Sequence, residues 1–178
     1  MVITDSHITA AIRDNTEKGF KLLLSQYSKR VYWHIRRAVG SHHDAEDITQ
    51  ETFVRIFRSL DRLKSDDALK SWIYRIATNE ALRFLEKRGN GHLPLDSAAA
   101  IPSDPYVNYS DIEAVELKKA IGTLPPKQRL AFNLRYYDEL EYEEIASILG
   151  TTAHNVRANY HNAKERIVKY MNSINWNI

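Results

Sequence analysis

The chain has 178 residues, of which 43% are hydrophobic and 27% are charged, a composition typical of one ordinary globular domain or two small ones. It contains no cysteine, which excludes disulfides and thiolate metal sites and fits a reducing compartment such as the cytoplasm. The formal net charge of +2 is too small to indicate nucleic-acid binding, although the charges are sorted by segment along the chain.

The first predicted element is a long helix that begins at Thr16 and ends near Gly40. From Lys18 to Arg37 this helix carries bases and no acid. The residues before it lack the apolar core of a signal peptide, and no run in the chain approaches the ~20 apolar residues that cross a bilayer. We therefore expect no membrane insertion. The apolar residues of the helix recur at helical spacing: Phe20, Leu23, Leu24, Tyr27, Val31 and Ile35.

The second predicted helix, DAEDITQETFVRIFRSL, has Asp44 or a neighbour as its cap and shows two contrasting faces. At about 100° per residue, one face collects the residues expected in the core: Ala45, Ile48, Thr52, Phe53, Ile56, Phe57 and Leu60. The opposite face collects polar residues and one valine: Asp47, Gln50, Glu51, Val54 and Arg58. Because a valine gains nothing by facing water, this face is typical of a surface that docks on a basic protein and repels nucleic acid.

The third predicted helix runs from Ser71 to about Arg88, after the polar turn DRLKSDDALK. One stripe carries a tryptophan, an amide and two cations, with a tyrosine at its side: Trp72, Arg75, Asn79, Arg83 and Tyr74. Taken alone, this pattern also fits a helix in which Trp72 lies in the core and Asn79 satisfies backbone groups.

Residues 89–111 are predicted to form a flexible linker. They include two glycines, three prolines and no Lys or Arg. Proline and the residue before it disfavour helix, and a structureless connector of this length is unusual inside one compact domain. The chain is therefore predicted to be all-α, with two small helical domains at 1–88 and 112–178, since no strand-like alternation occurs.

Four helices are predicted after the linker, at about Asp111–Ile121, Pro126–Tyr137, Tyr142–Leu149 and Ala153–Met171. The last two, with a turn at Gly150 and a cap at Thr152, have the helix-turn-helix pattern, whose second helix enters the major groove of DNA. The inward stripe of that helix comprises Val156, Tyr160, Ala163 and Ile167. Its outward stripe comprises His154, Arg157, Ala158, His161 and Asn162. The alternative is an αα-hairpin with a solvated basic face.

These segments, in this order and spacing, resemble an extracytoplasmic-function sigma factor of the sigma-70 family. The resemblance rests on DAEDITQETFVRIFRSL, LKSWIYRIATNEALRFL, LPPKQRLAFNLRYYDELEYEEIASILG and the terminal recognition helix, and it covers about Thr16 to Met171. It implies sigma region 2 at 1–88 and region 4 at 112–178. The implied protein is a cytoplasmic transcription initiation factor with no catalytic residues, cofactor or small-molecule substrate. The implied partners are core RNA polymerase (the clamp helices of its largest subunit and the flap of its second), promoter DNA and an anti-sigma protein.

The resemblance also implies roles for individual residues. The polymerase-binding positions are Asp47, Gln50, Glu51 and Val54. The positions that hold the −10 element as a single strand, with one base turned out, are Trp72, Tyr74, Arg75, Asn79 and Arg83, with Lys64 to Lys70 as a specificity loop. The positions for the −35 duplex are Arg129, His154, Arg157, Ala158, His161 and Asn162. Among these, Arg129 belongs to the segment PPKQR, with Lys127 and Gln128, and is expected to contact the DNA backbone.

The recognition helix departs from the family pattern. Where the family commonly reads TVKSRLHRA, this chain reads NVRANYHNA, so Asn159 and Asn162 stand in place of two arginines. Arg157 and His161 keep polar or basic groups. The departure affects both the phosphate contacts and the −35 preference that the resemblance implies.

Two other classes of function fit parts of the sequence. The segment HHDAED places two histidines and three acids close together, as in a metal site, but adjacent histidines at a helix start point in different directions. A helix-turn-helix regulator that acts without being a polymerase subunit would need an effector pocket or a symmetric interface. It gives no reason for the acidic face around Val54 or for the stripe from Trp72 to Arg83.

Overall fold

The computed structural model describes residues 2–63, 68–89 and 110–174, and every regular element in these ranges is a helix, so the all-α prediction is confirmed. The first part of the chain forms α1 Asp5–Asp14, α2 Thr16–Val39, α3 His42–Arg58, a 3-10 helix Leu60–Arg62 and α4 Leu69–Arg88. The last part forms α5 Ile112–Gly122, α6 Pro126–Tyr136, α7 Tyr142–Leu149 and α8 Ala153–Ser173.

The chain divides into two compact units, Met1–Gly91 and His92–Ile178. The predicted linker lies outside the described residues except at its two ends, and so does the first part of the predicted specificity loop. Among the described helices, none is both long enough and apolar enough to pass through a membrane.

Helix α1 was not predicted from the sequence, and contacts with α2 hold it in place. Thr4 and His7 form a capping box that satisfies backbone donors at its start. Gly19 lets α2 approach α1 closely, because a Cβ at this position would lie 2.3 Å from the Ile12 nitrogen. The Tyr27 hydroxyl donates a hydrogen bond to Asp5 Oδ1 at 2.7 Å. Burial, together with this bond, raises the pKa of Tyr27.

Helices α2, α3 and α4 pack on one another and form the core of the first unit. Their fully buried side chains include Leu23, Val31, Ile35, Ala45, Ile56, Ile73 and Ala77. A polar pair also lies inside, where His34 Nε2 and Thr78 Oγ1 are 2.8 Å apart and share a hydrogen bond. Gly40, in a left-handed conformation, ends α2, and Ser41 rather than Asp44 caps α3. These contacts leave the side of α3 that carries Asp47 exposed.

Helices α5 to α8 form the second unit, in which α8 contacts the other three. One core cluster comprises Ala120, Ile121, Leu124, Phe132, Ala163 and Ile167. The predicted inward stripe of α8 is confirmed, since Val156, Ala163 and Ile167 are buried and Tyr160 is half-buried. Gly150 turns the chain at φ 64°, and the Thr152 hydroxyl accepts from Asn155 N at 3.2 Å. The predicted helix-turn-helix geometry is therefore present.

Candidate functional surfaces

The outward face of α3 is exposed as predicted, with Asp47, Gln50, Glu51 and Val54 all open to solvent. Asp47 Oδ2 lies 3.7 Å from His43 Nε2, and Glu51 Oε1 lies 3.2 Å from Arg55 Nε. The contact of Asp47 with His43 and the ion pair of Glu51 with Arg55 each join residues four apart on one helix and are exposed to water, so they are weak and leave both carboxylates available to a partner's cations. The face offers two carboxylates beside an apolar residue, which suits an arginine-bearing protein surface.

Phe57 lies on this surface rather than in the core, so its predicted inward placement is wrong. Its side chain is 47% exposed and packs edge-on against Phe20 of α2, with ring centroids 4.9 Å apart. The reason is that α3 buries the positions from Ala45 to Ile56 that point between α2 and α4, whereas Phe57 lies at the margin. Phe57 lies three residues after Val54, so the two side chains are neighbours on the helix surface. The exposed face is therefore more apolar than the sequence indicated.

A chain of charges that sequence reasoning missed connects α3 with α4. Arg55 Nε is 3.2 Å from Glu51 and 2.9 Å from Glu80, and Arg83 Nη1 is 2.7 Å from Glu80. The side chain of Glu80 is 10% exposed. The spacing of Glu80 and Arg83 indicates a local pair, but no periodicity brings Arg55 to Glu80, because that contact depends on how the two helices pack.

The predicted stripe on α4 is brought together, with one exception. Arg75, Asn79 and Arg83 are exposed, and Trp72 is half-buried. Tyr74 is 2% exposed and packs edge-to-face against His34, with centroids 5.2 Å apart. The expectation that Tyr74 presents a stacking surface is therefore wrong, because α2 covers that side of α4. Trp72 is the aromatic ring that remains beside the exposed amide and cations.

The outward stripe of α8 is also exposed, as predicted for His154, Arg157, Ala158, His161 and Asn162. Arg157 Nη2 donates to Glu143 Oε1 on α7 at 3.3 Å, and its guanidinium lies 5.1 Å from the centre of the Tyr142 ring. On the same ring, the Arg135 guanidinium lies at 4.9 Å. The ring of Tyr142 thus contacts two cations, Arg157 of the outward stripe and Arg135 of α6.

Arg129 is a structural residue, so its predicted contact with the DNA backbone is wrong. It is 5% exposed, and its Nη1 donates to the carbonyl oxygens of Leu124 at 3.2 Å and Gly122 at 3.5 Å. Burial lowers the pKa of its guanidinium to about 10. The side chain closes the turn between α5 and α6, where backbone acceptors would otherwise lack donors. Lys127 of the same segment is exposed.

The described residues include no group of three or more His, Asp or Glu side chains placed to hold a metal ion. The two histidines of HHDAED take different partners. His42 Nδ1 shares a hydrogen bond with the Tyr32 hydroxyl at 2.6 Å, whereas His43 pairs with Asp47. An open pocket of about 330 Å³ in the second unit is lined by polar and charged side chains, unlike the mostly apolar sites that bind small molecules: Gln128, Asn162, Glu165, Arg166 and Lys169.

Each of the two units matches a family of known proteins. A family model described as Sigma-70 region 2 matches residues 23–90, and one described as Sigma-70, region 4 matches residues 114–167. The ECF RNA polymerase sigma-E factor of Salmonella typhimurium is 31% identical over an alignment of 179 positions, which covers 93% of each chain. The ECF RNA polymerase sigma factor SigE of Mycolicibacterium smegmatis is 34% identical over 155 residues, or 84% of this chain. The match spans 60% of that relative's length.

Two solved structures share the fold. One is CnrH in complex with the cytosolic domain of CnrY, with a TM-score of 0.72, 18% identity, and coverage of 96% of this chain and 99% of that one. The other is the sigma factor RpoE in complex with the anti-sigma factor NepR from Bartonella quintana, with a TM-score of 0.72 and 24% identity. It covers 89% of this chain and 99% of the other.

Proposed function

Because the chain belongs to the extracytoplasmic-function branch of the sigma-70 family, we propose that the outward face of α3 binds core RNA polymerase and that α4 and α8 bind promoter DNA. A sigma factor directs core polymerase to promoters and starts transcription, and it is an initiation factor rather than an enzyme. We place the protein in the cytoplasm, where polymerase and chromosome meet. The observation that carries the assignment is the occurrence of both sigma regions, in order, on two helical units.

The α3 face suits the clamp helices of the largest polymerase subunit. Asp47 and Glu51 supply carboxylates for arginine, and Gln50 supplies an amide between them. Val54 and Phe57 add an apolar contact that excludes water from those charge pairs, which strengthens them. The same acids repel DNA phosphates, so this face and the DNA-binding stripes have separate roles.

The α4 stripe suits the non-template strand of the −10 element. The amide of Asn79 can bond a base edge, and Arg75 and Arg83 can pair with phosphates on either side of it. Trp72 takes the stacking role that the burial of Tyr74 removes, because it is the aromatic side chain that reaches the surface within the stripe. A base turned out of the duplex would lie between Trp72 and Asn79.

The α8 stripe suits the −35 duplex. Arg157 is the cation best placed to read guanine or to bind a phosphate, and Asn162 has the amide that pairs with adenine. Asn159 is half-buried and replaces an arginine of the family pattern, so fewer phosphate contacts are expected than in relatives with that arginine. The flap of the second polymerase subunit would hold this unit near its DNA site.

An anti-sigma protein is the proposed regulatory partner. The CnrH and RpoE structures are complexes with CnrY and with the anti-sigma factor NepR, and both chains share the fold described above. A protein that covers Val54 and Phe57 would bury exposed apolar surface and block the polymerase-binding face in one step.

Transcription by core polymerase on genomic DNA, with and without the purified chain, tests the proposal. We expect the chain to co-elute with core and to start transcripts at a discrete set of sites with shared −10 and −35 elements, as core alone does not. A helix-turn-helix regulator would instead bind duplex without polymerase. Failure to co-elute with core, together with specific duplex binding by the chain alone, would favour that alternative.

A further inference from the structure

Glu80 forms ion pairs with two arginines that belong to different helices. Arg83 Nη1 of α4 lies 2.7 Å from Glu80 Oε1, and Arg55 Nε of α3 lies 2.9 Å from the same oxygen. Glu80 is nearly buried, whereas both arginines are about half exposed. Arg55 also pairs with Glu51, which belongs to the proposed polymerase-binding face. The four side chains thus form one continuous row between the two proposed surfaces.

The chemistry of this row favours an ordering role for Glu80. A carboxylate with so little access to water needs charged donors, and the two guanidinium groups supply them. A guanidinium has five N–H donors, so Arg83 can bond Glu80 with one nitrogen and still present others to a nucleic acid. An arginine without such a contact would lose much side-chain entropy when it binds DNA. Because Glu80 already restricts the side chain of Arg83, Arg83 loses less entropy on binding.

We propose that Glu80 is a positioning residue for promoter melting. Glu80 holds Arg83 in the orientation that meets the single strand, and Arg55 in turn holds Glu80. The inference rests on the proposed function, in which Arg83 contacts the non-template strand of the −10 element. Glu80 touches no DNA in this proposal and acts through Arg83 alone.

If Glu80 acts only through its charge, its loss should strengthen the interaction with DNA, whereas if Glu80 positions Arg83, its loss should weaken promoter melting. Removing a negative charge near a DNA-binding stripe strengthens DNA binding on charge alone, because it weakens repulsion from phosphates. If Glu80 orients Arg83, however, its neutralisation frees a flexible cation and weakens melting. The sign of the effect therefore separates a positioning residue from an acid that merely lies near DNA.

Holoenzymes that carry Glu80→Gln, Arg83→Ala or both provide the test, with permanganate reactivity of promoter thymines as the measure of melting. We expect Glu80→Gln to lower open-complex formation about tenfold, as for the loss of a charge-assisted hydrogen bond. The double variant should be no worse than Arg83→Ala, because Glu80 acts through Arg83. Glu86→Gln is the matched control, an exposed acid on the same helix, and should change melting by less than about twofold.

Arg55→Gln is a second variant that leaves Glu80 and Arg83 in place. We expect it to lower open-complex formation in the parent but not in the Arg83→Ala background, with co-elution with core retained.

An increase or no change in melting by Glu80→Gln overturns the inference, and so does an equal loss with and without Arg83, which indicates a purely structural role. If Arg83→Ala itself melts promoters normally, the proposed DNA contact of Arg83 fails as well. If Arg83→Ala impairs melting and Glu80→Gln does not, only the inference fails.

Discussion

Arg157 of α8 and Glu143 of α7 join the two helices of the helix-turn-helix on their exposed side, with Nη2 3.3 Å from Oε1. The guanidinium also lies over the ring of Tyr142. Both charged side chains are more than half exposed, so the pair contributes little to folding in water. The proposed DNA contact of Arg157 must therefore replace Glu143 with a guanine edge or a phosphate.

We expect Arg157→Ala to weaken promoter use by ~1–3 kcal/mol at one base pair of the −35 element if the contact is bidentate to guanine. If the contact is to phosphate, every promoter should weaken alike and the salt slope should fall by about one. Transcription from a panel of single-base promoter variants at two salt concentrations distinguishes the two results. An Arg157→Ala protein that is unaffected on every variant would contradict the assignment of α8 as the reading helix.

Glu143→Gln should have the opposite effect on duplex binding, because it removes both the competitor for Arg157 and a charge that repels phosphates. We expect tighter binding of all −35 variants, with the largest gain at low salt. Fluorescence anisotropy with the holoenzyme measures it. Glu113→Gln, an exposed acid of α5, controls for the change in net charge.

Reversal of two acids on α3 tests the polymerase-binding face. Asp47→Lys with Glu51→Lys should abolish co-elution with core, because a close charge pair at a desolvated interface can contribute several kcal/mol. Both residues are exposed, so helicity measured by circular dichroism should be unchanged. The matched control reverses Asp14 and Glu17, exposed acids at the junction of α1 and α2, and should co-elute normally. Equal co-elution of the two double variants would refute this face.

Asn79→Ala and Tyr74→Ala should have different effects on melting and on stability, although both residues lie on α4. Asn79 is exposed, so its loss should reduce open complexes and leave the free energy of unfolding unchanged. Tyr74 is a core residue, so truncation should destabilise the first unit by ~3–5 kcal/mol. Thermal unfolding and permanganate footprinting on both proteins measure the two effects. A premelted template should partly rescue Asn79→Ala, and its failure to do so would argue against a role in melting.

Gly19→Ala should displace α1, because the added Cβ would overlap the backbone of Ile12. Overpacking of this kind costs ~1–3 kcal/mol, and it should appear as a lower midpoint of thermal unfolding and faster amide exchange in α1. Gly122→Ala is the matched control, since nothing lies within 4 Å of a Cβ there, and it should be neutral or slightly stabilising. Equal stability of the two variants would show that α1 tolerates a shift.

The helices and their exposed faces could be predicted from the sequence, because they depend on forces that act within one or two turns. Helix α7 occupies Tyr142–Leu149 as predicted, and α2 begins at Thr16 and ends before Gly40. Apolar spacing places Asp47 and Arg157 on outward faces, where they are found. The family itself follows from such local motifs in order along the chain.

Only the tertiary structure decided which side chains at the margins of those faces are covered. The ring of Tyr74 is buried because α2 lies over it, and Arg129 is buried because carbonyl groups of the preceding turn take its donors. Phe57 is exposed because α2 and α4 reach only part of α3. The contact of Arg55 with Glu80 joins two helices. Periodicity gives the direction of a side chain from its own helix axis, whereas burial and long-range ion pairs depend on what another helix places there.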